Sequence, residues 1–218
     1  MLPPLMKSLR IPVIAAPMLI ASYPELVLAQ CKAGIVGAFP ALNARPSAQL
    51  GDWLAQIDEA LAAHRTAHPL APIGPYAVNQ ICHPSNARLD ADLRVCLDRQ
   101  VPLLITSLRA PPREIVDEAH RYGGLVIHDV TTVRHAEKAL EAGVDGLILV
   151  AAGAGGHAGT LSPFALVSEV RRMHDGLLVL SGAIATGDAV AAAVALGADA
   201  AYIGTRFLAS REANIVER

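Results

Sequence analysis

The residues Gly153-Ala154-Gly155-Gly156-His157-Ala158-Gly159 form the segment of this chain best suited to chemistry. Four glycines in so short a run let a backbone pass close to a flat ligand, because no Cβ intrudes. Their amides can also meet an anion. The histidine among them, His157, carries an imidazole that can act as acid, base or hydrogen-bond donor near neutral pH. The same run also fits a plain glycine turn with a surface histidine. Its position in the fold must separate the two.

Two later segments have the make-up of anion sites. One is Ser181-Gly182-Ala183-Ile184-Ala185-Thr186-Gly187-Asp188, the other Gly204-Thr205-Arg206-Phe207. Small residues let backbone N–H groups converge on phosphate oxygens, and a following helix adds partial positive charge. Thr205 can donate a hydroxyl. Arg206 can either neutralise a dianion or pair outward with Asp or Glu. Taken singly, each segment is also an ordinary strand-to-helix turn. Near the N-terminus, Ala16-Pro17-Met18 offers small residues and a soft Met side chain against which a flat ring can rest. Asn79 can bond a ligand edge, or serve as a turn or cap residue.

The elements that must position these residues alternate along the chain. Short β-branched runs predict strands at Pro12–Ala15, Ile35–Ala38, Pro72–Asn79, Leu103–Thr106, Leu125–His128, Gly146–Val150, Leu177–Ser181 and Ala200–Ile203. Amphipathic segments predict helices near Pro24–Lys32, Ala48–His64, Ala91–Arg99, Arg113–Tyr122, Val133–Glu141, Pro163–Met173 and Gly187–Leu196. Gly34, Gly123, Gly143 and Gly197 each follow an apolar helical run as stop signals. "EAGVDGLILV" and "ALGADAAYIG" repeat one design of helix end, glycine, turn and buried strand. Such alternation implies parallel strands with right-handed crossovers. Eight strands at about 27 residues each favour an α/β fold of the (β/α)8 TIM-barrel type over a doubly wound open sheet. The chain reads as a single domain spanning 1–218, without an evident eighth helix unless Glu212–Arg218 begins one. In such a barrel the glycine loop follows the sixth strand. The two anion-site segments follow the seventh and eighth, where these barrels hold phosphate.

Composition narrows the class. Hydrophobic residues make up 53% and aromatics 4%, so the core is aliphatic. A net charge of −2 and the lack of a Lys/Arg cluster give no footing for nucleic acid. Three cysteines without a CxxC fit a reducing compartment. With no signal-peptide order and no long apolar run, the chain reads as cytoplasmic and free of the membrane. No metal-ligand cluster is visible, and the small, Ala-rich helix faces suit a homo-oligomer.

In order along nearly the whole chain, "PVIAAPM", "VNQI", "EAGVDGLIL", "AGGHAG", "SGAIATG" and "ALGADAAYIGTRFLAS" resemble the nitronate monooxygenase family, formerly 2-nitropropane dioxygenases. The resemblance implies an FMN-dependent TIM-barrel enzyme. Such enzymes oxidise alkyl nitronates with molecular oxygen to a carbonyl compound and nitrite. By the same resemblance, His157 is the catalytic histidine. Ala16, Pro17 and Met18 lie beside the flavin, Asn79 contacts it, and Gly155 and Gly156 cover the ring. Ser181, Gly182, Ala183, Gly204 and Thr205 cradle the phosphate. The partners implied are a nitronate or nitroalkane and oxygen.

The chain departs from the family pattern in places. Val150 stands where many relatives carry Gln or Asp. Ala183 replaces a glycine. Asp129 stands where some relatives place a Lys, and its sequence context also fits a helix cap before Thr131-Thr132. His128 fits either a pocket or a structural role. Family members continue past the "GTRFL" motif, so a C-terminal segment is expected to be missing. Three rival functions remain: an NAD(P)H-dependent flavin reductase, acting on quinones or enoyl-carrier proteins; a truncated, non-catalytic flavin-binding or interaction protein; and a flavin-free phosphate-binding barrel such as an epimerase or synthase.

Overall fold

A computed structural model describes residues 2–156 and 158–215. Eight strands alternate with eight helices: β1 (Val13–Ala15), α1 (Pro24–Lys32), β2 (Gly37–Pro40), α2 (Gln49–Ala67), β3 (Tyr76–Cys82), α3 (Leu89–Asp98), β4 (Leu103–Leu108), α4 (Arg113–Arg121), β5 (Leu125–Val130), α5 (Val133–Glu141), β6 (Gly146–Val150), α6 (Pro163–Arg171), β7 (Leu177–Ser181), α7 (Gly187–Leu196), β8 (Ala200–Ile203) and α8 (Thr205–Leu208). The sheet runs β1-β8-β7-β6-β5-β4-β3-β2, with every pair parallel. It closes where the Ala15 N–H donates to the Val36 carbonyl at 2.8 Å and the Val36 N–H to the Val13 carbonyl at 3.1 Å. The α/β barrel expected from alternation is therefore what forms, nearly closed on itself.

Closure gives each strand two dry faces, and side chains alternate between them. Ile14, Val36, Ala38, Ala77, Leu103, Ile105, Ile127, Ile148, Val179 and Ala200 fill the interior. Met6, from a short 3-10 turn at Pro4–Met6, joins that interior set. Val78, Leu104, Val126, Leu147, Leu149, Leu178 and Leu180 face outward and pack with the helices, among them Leu50, Leu54, Ile57 and Leu61 of α2.

The two repeated sequence units share one anchoring device. Asp145 Oδ2 accepts from the Val126 N–H at 2.7 Å, and Asp199 Oδ2 from the Leu178 N–H at 2.9 Å. A nitrogen side chain from the helix before each strand then holds the carboxylate: His120 Nε2 on Asp145 at 3.0 Å, Arg171 Nη2 on Asp199 at 2.7 Å. Each aspartate so ties a helix to the start of a strand two elements back in the chain.

Several boundaries move relative to the sequence reading. β3 begins at Tyr76 rather than Pro72, because Pro72 and Pro75 have no N–H for a ladder. The Pro75 carbonyl instead accepts from the Gly37 N–H at 3.2 Å and from Cys31 Sγ at 3.3 Å. β3 therefore runs on to Cys82, and Asn79 lies within it rather than at its end. The eighth helix is the single turn Thr205–Leu208, not one beginning at Glu212. The four stop glycines all take positive φ, from 81° at Gly123 to 114° at Gly197. Among the described residues no helix is long and apolar enough to cross a membrane.

His128 takes the outer face of β5. It is 3% exposed, its Nδ1 lies 2.8 Å from Thr106 Oγ1, and its neighbours Val126 and Val130 belong to the helix-side core. Burial first, then the nearby His135, holds its imidazole down to about 4 from 6.5. Above pH 6.5 the ring is neutral in both folded and unfolded chains and contributes no pH dependence. Between pH 6.5 and about 4 only the unfolded chain takes up the proton, so stability falls as pH falls; below that the loss levels off. The shift corresponds to about 3 kcal/mol. Urea unfolding at pH 7 and pH 4 should show the wild type losing about that much more than His128→Asn. Equal losses in the two proteins would contradict a neutral buried ring.

Candidate active site at the C-terminal mouth of the barrel

At the C-terminal ends of the strands the interior face turns polar. Asn79 of β3 and Ser107 of β4 point inward, 6% and 8% exposed. Asn79 Nδ2 donates to Ser107 Oγ at 2.7 Å and to the Ile105 carbonyl at 3.3 Å. That fixes the amide orientation and turns Oδ1 into the group available as acceptor. Asp129 follows on the inner face of β5, one residue beyond His128. The Leu108 N–H reaches its Oδ1 at 3.4 Å. Helix capping falls to another residue: Thr132 caps α5 by accepting from the His135 N–H. The cap expected of Asp129 is thus corrected by strand parity, which turns its side chain into the barrel.

Tyr202 of β8, in register with Ile14 and Ser181, faces the same interior. Burial, and then the charge of Asp129, push its phenol well above the ordinary value, so it stays a hydrogen-bond donor. Val150 ends β6 as a partly buried apolar wall of this interior.

Loops complete the mouth. The run after β6 is fastened at its base: the Gly159 N–H donates to the Val150 carbonyl at 3.2 Å, and the Ala152 N–H to the Leu161 carbonyl at 2.8 Å. A Cβ on Gly159 would lie 2.4 Å from the Val150 oxygen, so no side chain fits there. By contrast, a Cβ on Gly155 or Gly156 would meet nothing within 4 Å. His157, the residue given the chemical role, lies outside the described residues. On the other side, the Ala183 N–H donates to the Gly153 carbonyl at 3.0 Å, which locks the β6 and β7 loops together. Gly182 has φ +151°, and a Cβ there would sit 2.8 Å from the Ala152 oxygen.

The β1 and β8 ends also meet. The Ala16 N–H donates to the Ile203 carbonyl at 2.8 Å. A Cβ on Gly204 would stand 3.4 Å from Ala16 Cβ and 3.6 Å from Met18 Sδ. Thr205 and Arg206 are exposed at the start of α8. The structure thus gathers Ala16, Pro17, Met18, Asn79, Gly155, Gly156, Ser181, Gly182, Ala183, Gly204 and Thr205 at one end of the barrel, on five strands or the loops that follow them.

Ser107, Tyr202 and Asn43 are among the polar groups of this end that the sequence did not single out. Period-two counting along β4 and β8 would have found the first two. Nothing local marks Asn43. All three cysteines are buried and free; burial pushes Cys31 and Cys96 up to about 12 and Cys82 to about 11, which removes them as nucleophiles.

Comparison with known proteins agrees with this geometry. The nitronate monooxygenase of Paraburkholderia phytofirmans is 29% identical over an alignment of 242 positions, gaps included, that covers 94% of this chain and 65% of the relative. A substituted octahydro-1H-indene-4-carboxyl-CoA dehydrogenase of Rhodococcus jostii is 30% identical over 141 residues, 65% of this chain and 39% of the relative. The nitroalkane oxidase structure from Streptomyces ansochromogenes superposes with a TM-score of 0.80 at 28% identity, over 97% of this chain and 70% of that one. The chain spans less than two thirds of the length of the first curated relatives it matches. A family model described as nitronate monooxygenase matches residues 3–217, and with the barrel and its glycine-lined mouth this places the chain in the nitronate monooxygenase family of flavin oxidoreductases.

Proposed function

We propose that this chain binds FMN across the C-terminal mouth and oxidises alkyl nitronates with molecular oxygen to a carbonyl compound and nitrite. One observation carries the reading. The glycine loop is bonded down at Val150 and Leu161, yet open at Gly155 and Gly156. A loop fixed at its base and bare at its apex suits a flat ring that needs cover without side-chain bulk.

The residues present fit the cofactor. Backbone at Ala16, Pro17 and Met18 would flank the ring, and Asn79 Oδ1 would accept from its polar edge. The missing Cβ at Gly182 makes way for the Ala152 carbonyl and that at Gly204 for Ala16 and Met18, so both glycines draw loops together, and their backbone N–H groups would be what meets the phosphate. Ser181, Ala183 and Thr205 border them. The Ala183 N–H is already engaged by Gly153, so contacts in that stretch come from its neighbours. Arg206 is exposed beside them to counter the charge.

When bound, FMN supplies the electron transfer. The chain's own groups do the rest. His157 orients the anionic nitro group or, for a neutral nitroalkane, removes the α-proton as general base. Tyr202, held protonated, donates a hydrogen bond into the mouth. Val150 keeps that wall apolar and excludes water from the reacting carbon.

The Rhodococcus jostii relative is named a dehydrogenase, so redox chemistry other than nitronate oxidation occurs among the relatives, and an NAD(P)H-dependent flavin reductase is the second reading. Anaerobic stopped-flow mixing of the FMN-loaded protein with a nitronate, NADH or NADPH separates the readings. Bleaching of the flavin by the nitronate supports the oxidase; bleaching by the nicotinamides alone supports the reductase. A yellow protein bleached by none of them is a binding protein without this chemistry.

His157→Asn should slow nitronate-driven reduction by about 100-fold or more. An unchanged rate would remove His157 from the chemistry. In equilibrium titration, Gly159→Ala should weaken FMN binding by about tenfold or more, because its Cβ displaces the loop base. Gly155→Ala should still fold with wild-type stability, within about 0.5 kcal/mol in thermal unfolding.

A further inference from the structure

The β1 loop carries an unusual strain. Ile20 has φ +70°, a left-handed conformation that a β-branched side chain rarely adopts, and it is 62% exposed. Burial does not explain why it stays there. Its backbone does: both polar atoms of the residue are held by asparagines from distant parts of the chain. The Ile20 N–H donates to Asn43 Oδ1 at 2.9 Å, and the Ile20 carbonyl accepts from Asn214 Nδ2 at 3.0 Å.

Asn43 does more than hold Ile20. Its Nδ2 donates to the Met18 carbonyl at 3.1 Å and to the Ser22 carbonyl at 2.8 Å, and the residue is 4% exposed. A single buried amide therefore engages three residues of one loop. Asn214 adds a second bond, from its own N–H to the Ala21 carbonyl at 3.0 Å. Asn43 is itself seated from behind. It closes a 3-10 turn at Ala41–Asn43. The Arg88 guanidinium donates to the Ala41 carbonyl at 3.3 Å and the Ala44 carbonyl at 2.8 Å, bracketing that turn. Asp92, 1% exposed, fixes Arg88 at 3.1 Å.

We infer that Asn43 and Asn214 form a clamp that sets the shape of Met18–Ser22, with Arg88 and Asp92 behind it, and that these are positioning residues for the flavin-side wall of the site. The part that concerns flavin rests on the function proposed above; the clamp itself does not. Strain of this kind persists only where surrounding structure over-determines it, and it gathers where geometry must be held for function. Met18 is the link to the site, since its Sδ packs where Gly204 leaves room at the end of β8.

The test uses the full chain with and without FMN. In the FMN-free protein, Asn43→Ala should speed amide hydrogen exchange in residues 18–22 by about tenfold or more, while exchange in α5 and β6 stays as in the wild type. Asn43→Asp keeps the acceptor for Ile20 but sets a buried carboxylate oxygen against the Met18 and Ser22 carbonyls, and should speed exchange in residues 18–22 at least as much as Asn43→Ala. With FMN, Asn43→Ala should raise the FMN dissociation constant by about tenfold and shift the visible flavin circular dichroism. Unchanged exchange in residues 18–22 of a folded Asn43→Ala protein overturns the clamp. If that variant does not fold, Asn214→Ala, which removes one exposed side-chain bond, decides by the same exchange measurement. A wild type that fails to bind FMN overturns the flavin reading and leaves the exchange result to judge the clamp.

Discussion

Closure of the parallel sheet is the constraint on which the rest depends. Hydrogen bonds between Ala15 and Val36 and between Val36 and Val13 join the two ends of the sheet. In a sheet so nearly closed, every strand alternates between an interior and a helix-side face. The same parity that buries Ile105 and Ile127 inside the barrel turns Ser107 and Asp129 into its mouth. It also sends His128 and Thr106 the other way, into a dry layer where the imidazole is held neutral. A one-residue slip in β5 would exchange His128 for Asp129 and place a carboxylate among the outer apolar side chains.

Loops inherit their precision from this frame. The β6 loop is bonded to its own strand at Val150 and to the β7 loop at Ala183, so its two flanks are fixed by two strands. The β1 loop is held by residues after β2 and near residue 214, not by its own strand. Two kinds of support thus converge on one mouth. One is short-range, built from glycine backbone contacts. The other is long-range, built from asparagine amides. The anchoring aspartates Asp145 and Asp199 lie at the starts of strands, away from the mouth, and serve the scaffold. Stabilising groups and candidate site groups are therefore divided between the two ends of the barrel, as is usual for this architecture.

Legibility in the sequence followed the locality of the signal. β6, β7, β8, α1, α5 and α7 fall where periodicity and glycine stops put them. Their limits depend on nearest neighbours in the chain. β2 and β3 move by a few residues, because proline removes donors and a Cys31 carbonyl takes the Gly74 N–H. That partner is remote in sequence and gives no local mark. The site shows the same split. The glycine loop and the Gly182 and Gly204 turns stand out by composition, whereas Ser107, Tyr202, Asn43 and Asn214 carry no motif. Their meaning arises from contacts between residues 21 to 194 positions apart.

The sequence by itself determined that strands and helices would alternate, that both strand faces would be aliphatic, and that glycine-rich turns would follow the last three strands. These follow from side-chain volume, β-branching and missing Cβ atoms, which act within a few residues. Only the tertiary structure decided which polar side chains share the mouth, which histidine is walled off in the core, and what holds Ile20 in its strained turn. Those outcomes depend on strand parity around a closed barrel and on hydrogen bonds across it, and both exist only once all eight strands have come together.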